Sequence, residues 1–267
     1  DILRIPLRLN HPRAGIIVLC LGLLLSLFAF INALFLRVRR HDISSSRITE
    51  SLVIAHISDL HLGPILRQRA FRRIVGKVNS LNPDLILITG DLLDGPYDMC
   101  PADMAPLRDF TAPAFMITGN HERYAGPAAV EHLLLHTSLQ LLSDQTVEFR
   151  GVDITGIGDS DRRDHLKLIL SDKIRNPERY NIALYHRPTG AADAAAWGAD
   201  LMLCGHTHAG QIFPFNFIVG FFFRPVRGRH DINGMNLIVS TGTGTWGPPM
   251  RLGSSSEINL ICLSPAP

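Results

Sequence analysis

A run of 23 residues without a charge, residues 14–36, constrains this chain more than any other feature. It reads AGIIVLCLGLLLSLFAFINALFL, and Ser26 and Asn32 are its only polar side chains. A helix of this length, at about 1.5 Å per residue, spans a hydrocarbon core of about 30 Å. A core helix is rarely apolar on all sides for so long, and a signal peptide has a shorter apolar region and a small-residue cleavage site. We therefore predict a transmembrane helix over residues 14–36.

Basic residues flank this run on both sides. Positive charge concentrates on the cytoplasmic side of a span, and the cluster after the run (Arg37, Arg39, Arg40) is denser than the arginines before it (Arg4, Arg8, Arg13). This asymmetry favours a cytoplasmic position for the rest of the chain. We expect residues 1–13 to be a flank, residues 37–51 a linker and residues 52–267 a folded domain. A first residue of Asp instead of Met leads us to expect missing upstream segments.

Composition narrows the class of partner. The formal net charge is +2, and no basic stripe interleaved with aromatics occurs, so we expect no nucleic-acid partner. The four cysteines (Cys20, Cys100, Cys204, Cys262) match no zinc-binding spacing and are expected to be small buried residues. Nothing in the sequence implies a protein partner.

From residue 52 onward, short apolar runs alternate with segments of helical periodicity. Continuous apolar runs such as LVIAHIS (52–58), DLILITG (84–90) and PAFMITG (113–119) are typical of strands buried on both faces. Residues 66–81 and 126–136 carry apolar residues at helical spacing, and residues 140–158 indicate antiparallel strands. The pattern predicts an α/β sandwich of mixed sheets with helices outside.

Polar side chains that can bind a metal ion follow five of these strands. Ligands gather at the carboxyl ends of strands in such sheets. Carboxylates and imidazoles together suit Mn²⁺, Fe²⁺ or Zn²⁺ better than Ca²⁺. Seven donors exceed the needs of one tetrahedral ion and fit two ions that share a carboxylate. These predicted ligands are Asp59, His61, Asp91, Asn120, His186, His206 and His208, and glycine directly precedes three of them, at Gly90, Gly119 and Gly205. The other histidines, His56 included and His121 apart, we expect to be structural.

The motifs D-x-H, G-D, G-N-H, H and G-H-x-H, in this order over residues 52–263, resemble the calcineurin-like metallophosphoesterase superfamily. The forms HISDLHLG and GHTHAGQI are similar to a membrane-associated bacterial branch, some members of which cleave UDP-2,3-diacylglucosamine. The resemblance implies a four-layer αββα fold, a two-metal site and an inner-membrane location. It implies that Asp59, His61 and His208 hold one ion, that Asn120, His186 and His206 hold the other, that Asp91 bridges them, and that His121 faces the substrate. Soluble members with that specificity have arginine where this chain has His121.

A phenylalanine-rich segment, residues 211–230, follows the last ligand. Pro214, Asn216 and Gly220 interrupt helical and strand periodicity, so we predict a loop, with a core segment as the alternative. An apolar loop edged with arginines suits a membrane interface. We expect membrane or lipid contacts from Phe213, Phe215, Phe217, Phe221, Phe222, Phe223, Arg224 and Arg227, with Arg229 close by. The Gly-rich residues 240–257 suit either a phosphate cradle or a surface turn.

These features together predict a membrane-anchored phosphohydrolase with two divalent metal ions, manganese ahead of iron or zinc. The expected substrate is a lipid-linked phosphodiester or pyrophosphate such as UDP-2,3-diacylglucosamine. A general phosphodiesterase or phosphatase is one alternative. A binding module that keeps the metals without turnover is the other.

Overall fold

The computed structural model describes residues 12–63, 65–66, 68–95, 99–135 and 137–266 of the chain. Twelve strands are described: β1 Leu36–Ser45, β2 Leu52–Ile57, β3 Leu85–Thr89, β4 Ala114–Ile117, β5 Leu139–Leu141, β6 Gln145–Phe149, β7 Val152–Gly156, β8 Tyr180–Leu184, β9 Leu201–Cys204, β10 Gly228–Ile232, β11 Met235–Val239 and β12 Ser256–Pro265. The α-helices are α1 Pro12–Leu34, α2 Gln68–Asn79, α3 Asn120–Ala125, α4 Pro127–Leu134, α5 His165–Ser171, α6 Ala191–Trp197 and α7 Phe215–Phe222. Pro101–Asp109 and His208–Gly210 form 3₁₀ helices.

The strands form two six-stranded sheets. The first has the order β1-β12-β2-β3-β4-β5 and the second the order β10-β11-β9-β8-β7-β6. Within them β2, β3, β4 and β5 are parallel neighbours, as are β7, β8, β9 and β11. The strands that the apolar runs predict are therefore the central strands of both sheets.

Three apolar clusters hold the layers together. The central cluster joins the facing surfaces of the two sheets, with Ile54 and Leu87 from the first and Ile182 from the second. A second cluster packs α2 and α4 on the outer face of the first sheet, and a third packs α5 and α6 on the outer face of the second. The prediction of a four-layer α/β sandwich is confirmed.

α1 is apolar over Ala14–Leu34 and is long enough to cross a membrane. It ends at Leu34, two residues before the predicted end. Residues 15–28 are solvent-exposed or partly so in the isolated chain, but Ala29 is buried against the folded domain. Of the predicted flank 1–13, only Pro12 and the backbone of Arg13 lie within the described residues.

The predicted linker over residues 37–51 is largely a strand. β1 pairs in parallel with β12 along its whole length, from Leu36 opposite Ser256 to Ser45 opposite Pro265. Leu36 and Val38 are half-buried and Ile43 is buried, whereas Arg37 and Arg39 between them are exposed. This alternation suits an edge strand, so the folded domain begins at residue 36 and not at residue 52.

The predicted loop over residues 211–230 contains a helix, α7. Proline is compatible with the start of a helix because it lacks only a hydrogen bond that the first turn does not make, and Pro214 directly precedes α7. Asn216 donates a side-chain hydrogen bond to the carbonyl of Ala209 (2.6 Å), which fixes the start of the helix. A Cβ atom added to Gly220 would have no neighbouring atom within 4 Å. The missing side chain therefore leaves no packing defect in the helix.

Candidate metal centre

The seven predicted ligands meet at one edge of the sandwich. Asp59 and His61 follow β2, Asp91 follows β3, Asn120 opens α3 after β4, His186 follows β8, and His206 and His208 follow β9. These strands run in parallel within their sheets, so their carboxyl ends lie together. Six of the seven side chains are buried, and His206 is half-buried.

One group of donors consists of Asp59, His61 and His208, whose ligand atoms lie within 4.8 Å of one another. The Nε2 atoms of His61 and His208 are 3.0 Å apart, and Nε2 of His208 is 3.6 Å from Oδ1 of Asp59. This is the set that the resemblance assigns to the first ion.

A second group consists of Asp91, His186 and His206. Nε2 of His186 lies 3.2 Å from Oδ2 of Asp91, 3.1 Å from Nδ1 of His206 and 3.2 Å from Oδ1 of Asn120. The same Oδ2 of Asp91 is 3.9 Å from Nε2 of His61 in the first group. Asp91 therefore lies between the two groups, where a bridging carboxylate is expected.

The donor chemistry fits cations. Nδ1 of His186 donates to the carbonyl oxygen of Thr89 (2.8 Å), so Nε2 faces Asp91, Asn120 and His206. Burial opposes protonation of this ring, but the carboxylate of Asp91 raises the pKa of His186 to about 10. Burial lowers the pKa of His206 to about 3 and that of His208 well below its usual value, which keeps both rings neutral. Burial opposes ionisation of Asp91, but the neighbouring His186 holds the pKa of Asp91 below its usual value. Imidazoles around an ionised carboxylate are the usual ligands of divalent transition metals, and a cation beside Asp91 would take the place of the proton on Nε2 of His186.

Five of the seven ligands adopt left-handed backbone conformations, which are uncommon outside glycine. Such conformations cost of order 1 kcal/mol each and persist where the surrounding structure imposes them, often at functional sites. The φ angles are 53° for Asp59, 51° for His61, 49° for Asp91, 72° for His206 and 48° for His208. Strands β2, β3 and β9 thus each end in a sharp turn that directs the next side chain into the centre.

Two glycines admit the ligand side chains. A Cβ atom on Gly119 would collide with the carboxylate of Asp91, and one on Gly205 would collide with that of Asp59. The glycines before the ligands, noted in the sequence, therefore allow close approach of backbone and carboxylate.

His121 lies beside both groups. Its amide donates to Oδ1 of Asp91 (2.9 Å), and its ring packs edge-on against His61 with centroids 4.6 Å apart. Nδ1 of His121 donates to the carbonyl of Asp94 (2.9 Å), and this hydrogen bond leaves Nε2 available for another partner. One imidazole nitrogen of His121 also lies within ligand distance of His61 and Asp91. The prediction that His121 serves the substrate and not a metal ion stays a prediction.

Glu122, which the sequence analysis missed, fixes two of the ligand loops. Its buried carboxylate accepts hydrogen bonds from the amides of Asp91 (2.9 Å), Leu93 (2.9 Å) and Gly119 (2.7 Å). Burial and the nearby charge of Asp91 raise the pKa of Glu122 to about 7, against the three amides, which favour the ionised form. The motif G-N-H-E contains this residue, but only the fold reveals its partners.

Glu122→Ala should destabilise the protein by about 3 kcal/mol or more, because it leaves three buried amides unpaired at about 1–3 kcal/mol each. For a domain of this size we expect the melting temperature to fall by roughly 6–12 °C. Thermal unfolding in EDTA measures this without a contribution from bound metal. Glu131→Ala, an exposed position on α4, is the control and should melt like the wild type. Equal melting temperatures for both variants would contradict this role.

Arg251 is a second residue that the sequence did not predict. It is fully buried, and its guanidinium donates to the carbonyls of Gly244 (2.6 Å) and His208 (3.3 Å) and to Oγ of Ser254 (3.2 Å). Burial lowers the pKa of Arg251 to about 10, although Asp59 opposes this shift. Arg251 belongs to the Gly-rich segment 240–257, whose inner residues pack behind the Asp59 loop, where the amide of Gly244 donates to the carbonyl of Asp59 (3.0 Å). Much of this segment is therefore neither a phosphate cradle nor a surface turn.

The phenylalanines of residues 211–230 divide into two sets. Phe223 is half-buried, with its ring centroid 5.0 Å from that of the ligand His206. The rest are 56–78% exposed: Phe213, Phe215, Phe217, Phe221 and Phe222. The neighbouring arginines are exposed but bonded, Arg224 to the carbonyl of Gly220, Arg227 to that of Gly253 and Arg229 to Oδ1 of Asn236.

An open cavity of 310 Å³ leads from solvent to the ligands. We call it the polar chamber. It is lined by His61, Asp91, Asn120, His121, Tyr124, His206, His208 and Trp246. Aspartate, asparagine and histidine side chains from the predicted ligand set all line this chamber, so a phosphate group could enter and reach them.

The chain is similar in sequence to known proteins. Residues 52–210 match the family model described as calcineurin-like phosphoesterase. An uncharacterized metallophosphoesterase of Campylobacter jejuni is 36% identical over 236 residues, which cover 85% of this chain and 63% of that protein. An uncharacterized metallophosphoesterase of Aquifex aeolicus is 29% identical, covering 91% of this chain and 97% of that protein.

A vertebrate protein is also similar. The Bos taurus protein named transmembrane protein with metallophosphoesterase domain is 33% identical, covering 81% of this chain and 54% of its own length. This chain thus spans somewhat less than two thirds of the Campylobacter protein and about half of the bovine one.

Proposed function

This chain belongs to the calcineurin-like phosphoesterase family, and we propose on that premise that it is a membrane-anchored phosphohydrolase with two divalent metal ions. The observation that carries the proposal is the convergence of two donor groups on the shared carboxylate of Asp91. The first ion would be held by Asp59, His61 and His208, and the second by Asn120, His186 and His206. Manganese is the proposed metal, ahead of iron or zinc.

The ions would supply charge neutralisation of the phosphate and a hydroxide nucleophile at neutral pH. The remaining functions fall to side chains of this chain. Thr89 orients His186 through its carbonyl, and Arg251 braces the backbone of His208, so both rings keep their direction. His121, whose Nδ1 donates to the carbonyl of Asp94, can present Nε2 to the leaving oxygen and, in its imidazolium form, donate the Nε2 proton there, which leaves the neutral ring.

Several contacts support attachment of the domain close to a bilayer. The carbonyl of Ala29 in α1 accepts from the amide of Arg251 (2.8 Å), and Nδ2 of Asn32 donates to the carbonyls of Arg251 (2.9 Å) and Ser254 (3.0 Å). The last turn and a half of α1 is therefore packed on the domain. The apolar residues 14–28 that remain free would span only about 22 Å at about 1.5 Å per residue.

This shortfall from a hydrocarbon thickness of about 30 Å means that the bilayer would reach the level of residues 251–254. These residues also hold the base of α7, since the amide of Phe213 donates to the carbonyl of Leu252 (2.9 Å). The exposed phenylalanines of α7 would then lie at the membrane surface, beside the metal centre. This arrangement supports a lipid-linked substrate, and UDP-2,3-diacylglucosamine is one candidate. The charge pattern around α1 favours the cytoplasmic face of the inner membrane.

A turnover assay tests the proposal. The full chain in lipid nanodiscs should hydrolyse bis(p-nitrophenyl) phosphate when Mn²⁺ is added and should lose this activity in EDTA. Mass spectrometry of lipid extracts incubated with the Mn²⁺-loaded protein should then identify the cleaved lipid. Stoichiometric metal binding without turnover of any ester would favour the non-catalytic binding module. Turnover of soluble esters alone would favour a general phosphodiesterase or phosphatase.

Phe221→Ser/Phe222→Ser should lower cleavage of a lipid substrate in vesicles by at least about tenfold, because each exposed ring would lose about 1.5–3 kcal/mol of burial in the membrane. Turnover of bis(p-nitrophenyl) phosphate should change less than about twofold. The two rings are the most exposed phenylalanines described, 78% and 76%. Leu168→Ser on α5, an exposed apolar residue on another helix, is the control. Equal losses on both substrates would contradict membrane contact by α7.

A further inference from the structure

A second cavity adjoins the polar chamber and differs from it in chemistry. This cavity, the apolar chamber, has a volume of 320 Å³, and its apolar wall consists of Ile212, Phe215, Val219, Trp246 and Pro248. The ligands His206 and His208 line both chambers, as does Trp246. A molecule bound at the metal centre could therefore extend directly from one chamber into the other.

The polar side chains in the wall of the apolar chamber already have partners. Nε2 of Gln211 donates to the carbonyl of Trp246 (2.7 Å), and Oε1 of Gln211 accepts from the amide of Trp246 (2.9 Å). The hydroxyl of Thr207 donates to the carbonyl of Val226 (2.6 Å). Among the described residues, no carboxylate, ammonium or guanidinium group contributes to the lining. The chamber therefore offers few hydrogen bonds to a ligand and favours an apolar occupant.

The position of α7 indicates where such an occupant comes from. Phe215 and Val219 on this helix line the chamber, and Phe215 is also partly open to solvent. Phe217 and Phe221 on the same helix are exposed and do not line the chamber. The base of α7 is bonded to Leu252, in the segment on which the end of α1 is packed. One helix thus separates the apolar chamber from the surface at which the bilayer would lie.

We propose that the apolar chamber binds the first several carbons of an alkyl or acyl chain whose phosphate ester occupies the polar chamber. This inference rests on the proposed function, because it places a phosphate at the metal centre. It deepens that function by assigning the specificity for a lipid to Ile212, Phe215, Val219 and Trp246. Each methylene that enters the chamber should raise affinity up to about fourfold.

A homologous series of chromogenic diesters tests the inference. The full chain in phosphatidylcholine nanodiscs with Mn²⁺ would be given p-nitrophenyl phosphates carrying a methyl, butyl, hexyl or octyl group. We expect kcat/KM to rise about two- to fourfold per methylene and to level off once the chamber is full. Val219→Trp should fill the chamber and reduce the hexyl-to-methyl ratio of kcat/KM at least tenfold. An unchanged ratio would overturn the inference.

Ile218→Trp is the matched control. It introduces the same residue one position earlier on α7, at an exposed side chain that does not line the chamber, and it should keep the wild-type ratio. Partition of the longer esters into the nanodisc is equal for both variants, so the difference between them isolates the chamber. Metal content by mass spectrometry checks that the centre remains assembled. If Val219→Trp loses its metal, Val219→Phe, which adds less volume, carries the same comparison.

Binding separates this inference from the proposed function. Calorimetry of hexyl phosphate and methyl phosphate with the Mn²⁺-loaded protein needs no turnover. A hexyl preference that Val219→Trp abolishes and Ile218→Trp retains would support the chamber even if no ester were hydrolysed, in which case the proposed hydrolase alone would be wrong. Equal binding of the two phosphates to the wild type would overturn the chamber assignment, whatever the activity.

Discussion

Replacing Asp91 with alanine should lower turnover of bis(p-nitrophenyl) phosphate by at least about 10³-fold and reduce the bound metal below two ions per chain. The carboxylate lies 3.2 Å from His186 in one donor group and 3.9 Å from His61 in the other, so its loss removes a ligand from both. Metal ions contribute several kcal/mol to transition-state stabilisation, and each 1.4 kcal/mol is about tenfold in rate. Metal analysis by mass spectrometry and turnover with added Mn²⁺ measure the two effects.

Two further variants sharpen this test. Asp91→Asn keeps an acceptor for the amide of His121 but loses the charge, so it should retain the fold and still lose metal. Asp172→Ala, at an exposed carboxylate after α5, should match the wild type in both measurements. Wild-type turnover in Asp91→Ala protein would refute the two-metal mechanism.

The convergence of the seven predicted ligands could be predicted from sequence because each follows a strand that local composition identifies. Asp91 comes directly after the continuous apolar run DLILITG, and His206 directly after LMLCG. Parallel strands in one sheet end at the same edge, so strand assignment alone brings such residues together. Contacts between residues distant in sequence need not be known for this prediction.

Glu122 and Arg251 could not be predicted in the same way. Glu122 accepts from backbone amides, and Arg251 donates to backbone carbonyls and to the hydroxyls of Ser254 and Ser256. Such partners occur throughout the chain, so no residue type in the sequence signals the pairing. Arg251 braces His208 from 43 positions away along the chain. Only the tertiary fold brings these groups together.

The structures of residues 37–51 and 211–230 differ from the sequence predictions because contacts with residues distant in sequence determine them. β1 begins two residues after α1 ends, and its partner β12 lies more than 200 residues later. The arginines of β1 indicate membrane topology in the sequence, but they also occupy exposed positions of an edge strand. In α7, Pro214 and Gly220 indicated a loop, but the bond from Asn216 to Ala209 sets the helix start.

The substitution His121→Ala should lower turnover of diesters with alkyl leaving groups by about 10²–10⁴-fold and leave two metal ions bound, as expected for loss of a proton donor. The loss should depend on the leaving group. A p-nitrophenolate departs with little need of a proton, whereas an alkoxide needs one, so diesters with alkyl leaving groups should suffer more. Two hydrogen bonds position His121 for this role. Its Nδ1 donates to the carbonyl of Asp94, and its backbone amide donates to the carboxylate of Asp91.

His132→Ala on α4 is a control, since this exposed histidine lies outside both donor groups. His121→Arg tests charge against proton transfer, because arginine restores a cation but cannot give up its proton at neutral pH. Rescue on p-nitrophenyl esters without rescue on alkyl leaving groups would identify proton donation as the role of His121. Loss of a metal ion in His121→Ala would instead make His121 a ligand, in line with its distance from His61 and Asp91. The metal analysis therefore decides between the two roles that the geometry of this histidine allows.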